Sequence, residues 1–194
     1  MDILSLFITV PVLTILALVF TKGLRQARIV SMIGSLIQLA MTINLVFAYF
    51  KERDINQDIM VFTKDVVWFE QFNIHYAIGV DGISVALLLL TAIVVLAGVF
   101  ISWKMSDLPK EFFISLIVLS IGVYGFFISL DLFTMFVFFE IAVIPMYLLI
   151  GIWGTGPREY AAMKLTLMLM GASAILLVAI LGIYFNSNTD GGPL

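Results

Sequence analysis

Glu140 is the residue in this sequence whose type and position most directly suggest chemistry. It lies inside the apolar run Leu132–Trp153, eight residues from one end and thirteen from the other, or roughly 12 Å and 20 Å along a helix. A charged side chain near the middle of a bilayer costs about 2.5–3.5 kcal/mol on insertion scales, so an acid held there is a functional candidate by default. One turn away on either side stand Phe136, Val137, Val143 and Ile144, so a counter-charge must come from another helix or another chain. Removal from water favours the neutral acid, whereas an approaching lysine favours the carboxylate. A carboxyl governed by a movable cation can take and release protons, as a relay requires. The plainer alternative is a protonated Glu140 that hydrogen-bonds across helices as glue.

Other polar residues have weaker claims. Pro145 lacks an N–H, so the carbonyl of Ile141 loses its helical partner beside Glu140 and can hold a water; the same proline can also serve shape alone. Lys164 enters one turn inside the last apolar run, placed either to snorkel to the interface or to join a relay at its mouth. Asp81-Gly-Ile-Ser84 has the pattern of a helix N-cap, with an ion-pathway role as the alternative. Asp131 marks a turn and is expected to be wet. Arg158 and Glu159 are expected to pair with each other or with a neighbour. Gly122, Gly125 and Ser129 form a smooth stripe for close helix approach. Phe133, Phe136, Phe138 and Phe139 surround the approach to Glu140 as packing or as a dry gate. Met163 and Met170 read as packing, and the lone His75 as a surface polar group without a catalytic role. No Gly-rich phosphate loop or nucleophile constellation occurs.

The elements that must carry these residues follow from composition. Of 194 residues, 62% are hydrophobic and 12% charged, against roughly half and roughly a quarter in an average soluble domain. Lipid must therefore solvate most of the chain. The absence of cysteine excludes disulfides, cysteine-held zinc and iron–sulfur clusters, and a single histidine excludes a bis-histidine haem. A net charge of −3 offers no basic face for nucleic acid.

Six windows reach the roughly 20 apolar residues that a spanning helix needs. They are about 3–21, 29–50, 83–103, 112–130, 132–153 and 161–185, a single all-α membrane unit over 1–194. The first lacks a basic lead-in and a cleavage pattern, so it reads as a permanent helix. Asp131 alone separates the fourth and fifth windows, which implies a tight antiparallel pair. Seven of the ten Lys and Arg residues fall in the first, third and fifth joints, which places those joints in the cytoplasm and the amino terminus outside. Trp103 and Trp153 are expected to anchor that cytoplasmic interface. In the outer joint 51–80, Phe72, Ile74, Tyr76, Ile78 and Val80 alternate, the period of a strand with one covered face, so a short hairpin is expected there. The tail Asn186–Leu194 has a loop composition.

Several runs then support a resemblance. Val80-Asp-Gly-Ile-Ser84, Ser102-Trp-Lys104, Asp131-Leu-Phe133 leading to Phe138-Phe-Glu140, Ile144-Pro-Met-Tyr-Leu-Leu-Ile-Gly-Ile-Trp-Gly154 and Arg158-Glu-Tyr-Ala-Ala-Met-Lys164 occur in that order. From Val80 onward the chain resembles the antiporter-like subunit M family (mitochondrial subunit 4) of proton-pumping NADH:quinone oxidoreductase, complex I. The resemblance implies an inverted-repeat fold of about fourteen membrane helices, of which this chain is expected to be the amino-terminal portion. It implies that Glu140 is the family's glutamate on the fifth helix, paired across to a lysine on a later broken helix. Lys164 also matches a family lysine. The implied function is proton translocation driven by electron transfer elsewhere, with NADH, FMN, iron–sulfur clusters and quinone all in other subunits. Implied partners are the other membrane-arm subunits, especially neighbouring antiporter-like ones, in a cell inner (plasma) membrane. Two alternatives remain at this point: a D-type subunit of a multisubunit sodium/proton antiporter, and a membrane-arm scaffold.

Overall fold

The structure is a computed structural model that describes residues 3–55, 60–69, 74–105 and 108–187. The described residues form six α-helices, one antiparallel strand pair and a short 3-10 turn at Ser102–Lys104. In order, the α-helices and strands are α1 (Ile3–Phe20), α2 (Leu24–Ile55), β1 (Val61–Phe69), β2 (Ile74–Val80), α3 (Gly82–Ile101), α4 (Pro109–Ile128), α5 (Leu132–Trp153) and α6 (Arg158–Ser187). Each helix is long and apolar enough to cross a membrane. Lipid leaves no partner for an open backbone, so each run closes its own hydrogen bonds.

The ends differ from the hydropathy windows in an instructive way. The window for the second helix was 29–50, whereas α2 runs from Leu24 to Ile55. Its 32 residues extend about 48 Å, well past a hydrocarbon core of about 30 Å. The added turns carry Arg25, Gln26, Arg28, Lys51, Glu52 and Arg53, which keep a helix going in the wet interface. The sixth helix likewise begins at Arg158 rather than 161, and α4 at Pro109 rather than 112, with proline in its first turn, where a missing N–H costs nothing.

Helix α4 is the central post. It packs against α1, α2, α3 and α5, while α6 packs on α5. One buried cluster, including Leu4, Phe7, Tyr49, Ile78, Leu88 and Tyr124, joins the start of α1, the end of α2, the strands, α3 and α4. A second, around Leu18, Ala27, Val99, Phe113 and Ile117, fills the opposite end. At that opposite end Lys110 donates from Nζ to the carbonyls of Val19 at 2.8 Å and Thr21 at 3.1 Å. Arg28 donates from Nη2 to Met105 O at 2.9 Å. Both cations meet carbonyls left open where helices stop, the charge sign that a helix carboxyl end favours. Trp153, half-buried on the same side, sets its ring 5.3 Å from that of Phe112.

The strand pair packs on α2 through β1 and on α3, α4 and α5 through β2. Its register pairs Val61 with Val80 and Lys64 with Ile78, and Ile78 and Val80 are buried as the alternation requires. Phe72 falls outside the described residues. His75 pairs with Val67 through the backbone, and its side chain is not among those described. The strands are also stitched to the helices: Leu130 N–H donates to Ala77 O at 2.8 Å, and Ile78 bridges Ser129.

Candidate functional site

Glu140 is the ninth residue of α5, which is unbroken from Leu132 to Trp153 with Pro145 inside it. How α5 meets its neighbours sets the direction of the carboxyl. Gly122 and Gly125 on α4 receive Ala142 and the ring of Phe138, so closely that a Cβ on Gly122 would lie 2.8 Å from the Cβ of Ala142. Phe138 and Ala142 are one turn apart and face α4 together. Glu140, midway between them, is turned to the other side of α5 at about 100° per residue. It shares that side with Ile144 and Tyr147, which are 67% and 44% exposed. The stripe Glu140, Ile144, Tyr147 therefore has no complete cover among the described residues.

The carboxyl itself is only partly open. Its Oε1 is buried and has no hydrogen-bond partner among the described residues. On α6, Ala162 sits against Gly151, where a Cβ would make an ordinary contact at 3.5 Å. Counting eleven residues back along α5 and eleven forward along the antiparallel α6 brings Glu140 to the height of Ser173. That serine is buried, and its hydroxyl donates to Met170 O at 3.0 Å. Composition and spacing did not single out Ser173; the antiparallel count would have found it once the α5–α6 contact was known.

Lys164 is not brought to this place. It is exposed on the second turn of α6, with Nζ 6.0 Å from the ring centre of Tyr160. Nine residues separate it from the height of Ser173, or about 13 Å along the helix. Arg158 donates from Nη1 to Ile152 O at 2.6 Å and so caps α5.

Two of the phenylalanines near Glu140 pack against α4. Phe138 seats on Gly125, and Phe139 lies 6.5 Å from Phe126. Phe126, Phe139, Ala142, Met146 and Leu169 line an apolar groove of about 280 Å³ between α4, α5 and α6. Glu140 does not line it. Ser129 lies beyond α4, as its C-cap, so the small-residue stripe consists of the two glycines.

Asp131 corrects the sequence reading. It was expected to be wet, yet it is 1% exposed. Its Oδ2 accepts from Thr134 N at 2.9 Å and Thr134 Oγ1 at 3.0 Å, which caps α5. Ser129 Oγ donates to its carbonyl at 3.1 Å. The cause of the burial is β2, which folds over the α4–α5 turn and closes it from solvent. Asp81 acts as the N-cap of α3, with Oδ1 accepting from Ser84 N at 2.7 Å. That backbone N–H holds its carboxyl below the usual aspartate value. No group of three or more His, Cys, Asp or Glu able to hold a metal occurs among the described residues.

Comparison with known proteins adds three findings. Residues 129–191, which include Glu140 and Lys164, match the family model described as NADH:quinone oxidoreductase/Mrp antiporter, transmembrane. The whole chain is 29% identical to F(420)H(2) dehydrogenase subunit M of Methanosarcina mazei, covering 39% of it. Two-thirds of the chain, 67%, is 38% identical to NADH-quinone oxidoreductase subunit M of Rhodobacter capsulatus, covering 25% of it. The chain thus spans well under half the length of these curated relatives. Its fold matches a chain of the respiratory complex I of Thermus thermophilus with a TM-score of 0.76 at 21% identity, over 98% of this chain and 38% of that one. It also matches a chain of an archaeal membrane-bound sulfane sulfur reductase, with a TM-score of 0.77 at 17% identity over 97% and 28%.

Proposed function

We propose, from the premise that this chain belongs to the antiporter-like membrane-subunit family of NADH:quinone oxidoreductases and Mrp antiporters, that it forms the amino-terminal part of a proton-translocating subunit of a respiratory complex. One observation carries the reading: a carboxyl deep in a spanning helix with one oxygen buried and unpartnered. An acid held there in a membrane helix is a relay candidate by default. A cation arriving on the open Glu140–Ile144–Tyr147 side favours the carboxylate and so promotes release of a proton. Electron transfer in other subunits supplies the energy, delivered as a displacement of that cation. Neighbouring membrane-arm subunits are the proposed partners, and redox cofactors belong to the rest of the complex.

The side bearing Lys104, Lys110, Arg158 and Lys164 faces the cytoplasm in this reading, with the strand pair and the amino terminus outside a plasma membrane. Seven of ten cations in the odd joints support it. Lys164 stands at the cytoplasmic mouth, away from the central carboxyl.

The test is Glu140→Gln in the full-length protein within its complex. The amide keeps the size and a hydrogen-bonding oxygen but takes no proton. Loss of proton pumping in sealed vesicles, with the complex assembled, is the expected result; full pumping ends the relay reading and leaves the scaffold. Because the family model is shared with Mrp antiporters, a second reading is a subunit of a multisubunit sodium/proton antiporter. Co-purification with NADH dehydrogenase subunits, against an all-membrane complex exchanging sodium for protons, separates the two.

A further inference from the structure

We infer that the α1–α2–α4 interface holds bound water, fixed between the amide oxygen of Gln38 and the hydroxyl of Tyr124. The site is independent of Glu140, which lies on α5 and faces away from α4.

The buried face of α2 is unusually polar for a helix in lipid. Ser31, Ser35, Gln38 and Thr42 follow one another at helical spacing and are each 5% exposed or less. Three of them are satisfied locally: Ser31 donates to Ala27 O at 2.8 Å, Ser35 to Met32 O at 3.0 Å and Thr42 to Gln38 O at 2.8 Å. Gln38 is different because it reaches out of its helix. Its Nε2 donates to Phe7 O on α1 at 3.3 Å. That bond also decides which way the amide points, since the reverse orientation would set two oxygens against each other. Oε1 must then face the interior, where it is buried without a partner among the described residues.

Tyr124 supplies the other half of the site. It is fully buried on α4, and its hydroxyl too lacks a partner among the described residues. Phe7 touches both groups, accepting from Gln38 through its carbonyl and setting its ring 5.9 Å from that of Tyr124. The two side chains that carry an unused acceptor and an unused hydroxyl thus both meet one phenylalanine, in a region where lipid offers neither a hydrogen bond. Buried polar atoms of native proteins are rarely left this way. A water molecule meets both needs, donating to Oε1 and accepting from, or donating to, the phenol. Polar surroundings with two to four partners are what an internal water requires. Tyr124 lies one turn from the end of α4 and Phe7 in the second turn of α1, so the water sits in the half of the bundle beneath the strand pair.

The experiment is a density map of the assembled complex with the full-length chain, at a resolution that displays ordered water. Density within about 2.7–3.2 Å of both Gln38 Oε1 and Tyr124 Oη is the expected result. Direct bonding of the two side chains, or of each to another protein group with no density between, overturns the inference. A second map, of Tyr124→Phe, should show that density lost or moved; density unchanged in place overturns it as well. Proton pumping should stay within twofold of the parent in Tyr124→Phe, because this water is not on the Glu140 route. A complex that pumps no protons through Glu140 can still hold it.

Discussion

Gly125 on α4 seats the ring of Phe138 on α5 so closely that a Cβ on the glycine would overlap ring carbons. This contact fixes the rotation of α5. Because Phe138 is held against α4, Glu140 two positions on must point away from it, toward α6 and the open side. Placement of the central acid therefore depends on a hydrogen atom in the adjacent helix.

Gly125→Ala should accordingly do more harm than a glycine-to-alanine change usually does. Adding a methyl group to a filled contact costs about 1–3 kcal/mol, and the neighbouring α5 must rotate or withdraw to accept it. Gly98→Ala on α3 is the control, since a Cβ there meets Leu116 at an ordinary 3.5 Å and gains about 1 kcal/mol of helix propensity. Thermal denaturation of the purified complex should place Gly125→Ala below the parent and Gly98→Ala at or above it. Equal behaviour of the two would mean that α4 and α5 are not locked at this point.

Asp131 predicts a second asymmetry. Its carboxylate takes both donors of Thr134, so Asp131→Ala leaves the first turn of α5 uncapped at a cost of about 1 kcal/mol. Asp131→Asn keeps an oxygen for the Thr134 N–H and should recover most of that loss. Proteolysis at the α4–α5 turn is the sensitive readout, because the turn is shut only while β2 lies over it. Asp131→Ala should be cut faster than Asp131→Asn, and equal rates would remove the capping role.

The reading from composition succeeded where one physical rule dominates. Six apolar runs of spanning length fold as six helices because lipid permits little else. It did less well where two surfaces meet. Hydropathy could not place the start of α2, since Leu24-Arg25-Gln26-Ala27-Arg28 is polar yet helix-forming, and propensity governs in the wet interface. Asp131 looked solvated because its sequence neighbours describe a turn, while its burial comes from β2, some fifty residues earlier. That Glu140 has no counter-charge within one turn was legible in the sequence, but the direction of its side chain came only with the Gly125–Phe138 contact.

Asp81 gives the pH prediction. The Ser84 N–H lowers its folded value below the ordinary 3.8, so the unfolded chain binds the proton more readily. The stabilisation is therefore complete above about pH 4 and is lost as pH falls through the lower folded value. Melting temperatures of the parent between neutral pH and pH 3 should fall further than those of Asp81→Asn, which caps without titrating. Parallel curves for the two proteins would show that the cap carries no acid-sensitive stability.

Glu140 and Lys164 should separate in one vesicle assay. The two groups stand about 13 Å apart in height, and only Glu140 has a buried, unpartnered oxygen. Lys164 is exposed and rests near Tyr160, near the start of α6 and away from the central carboxyl. Glu140→Gln is expected to lower the proton-to-electron ratio tenfold or more, the loss of a step rather than a slowing of supply. Lys164→Gln should leave that ratio within twofold of the parent. A Lys164→Gln complex as uncoupled as Glu140→Gln would place the lysine inside the relay and require a conformation of α6 that carries it inward.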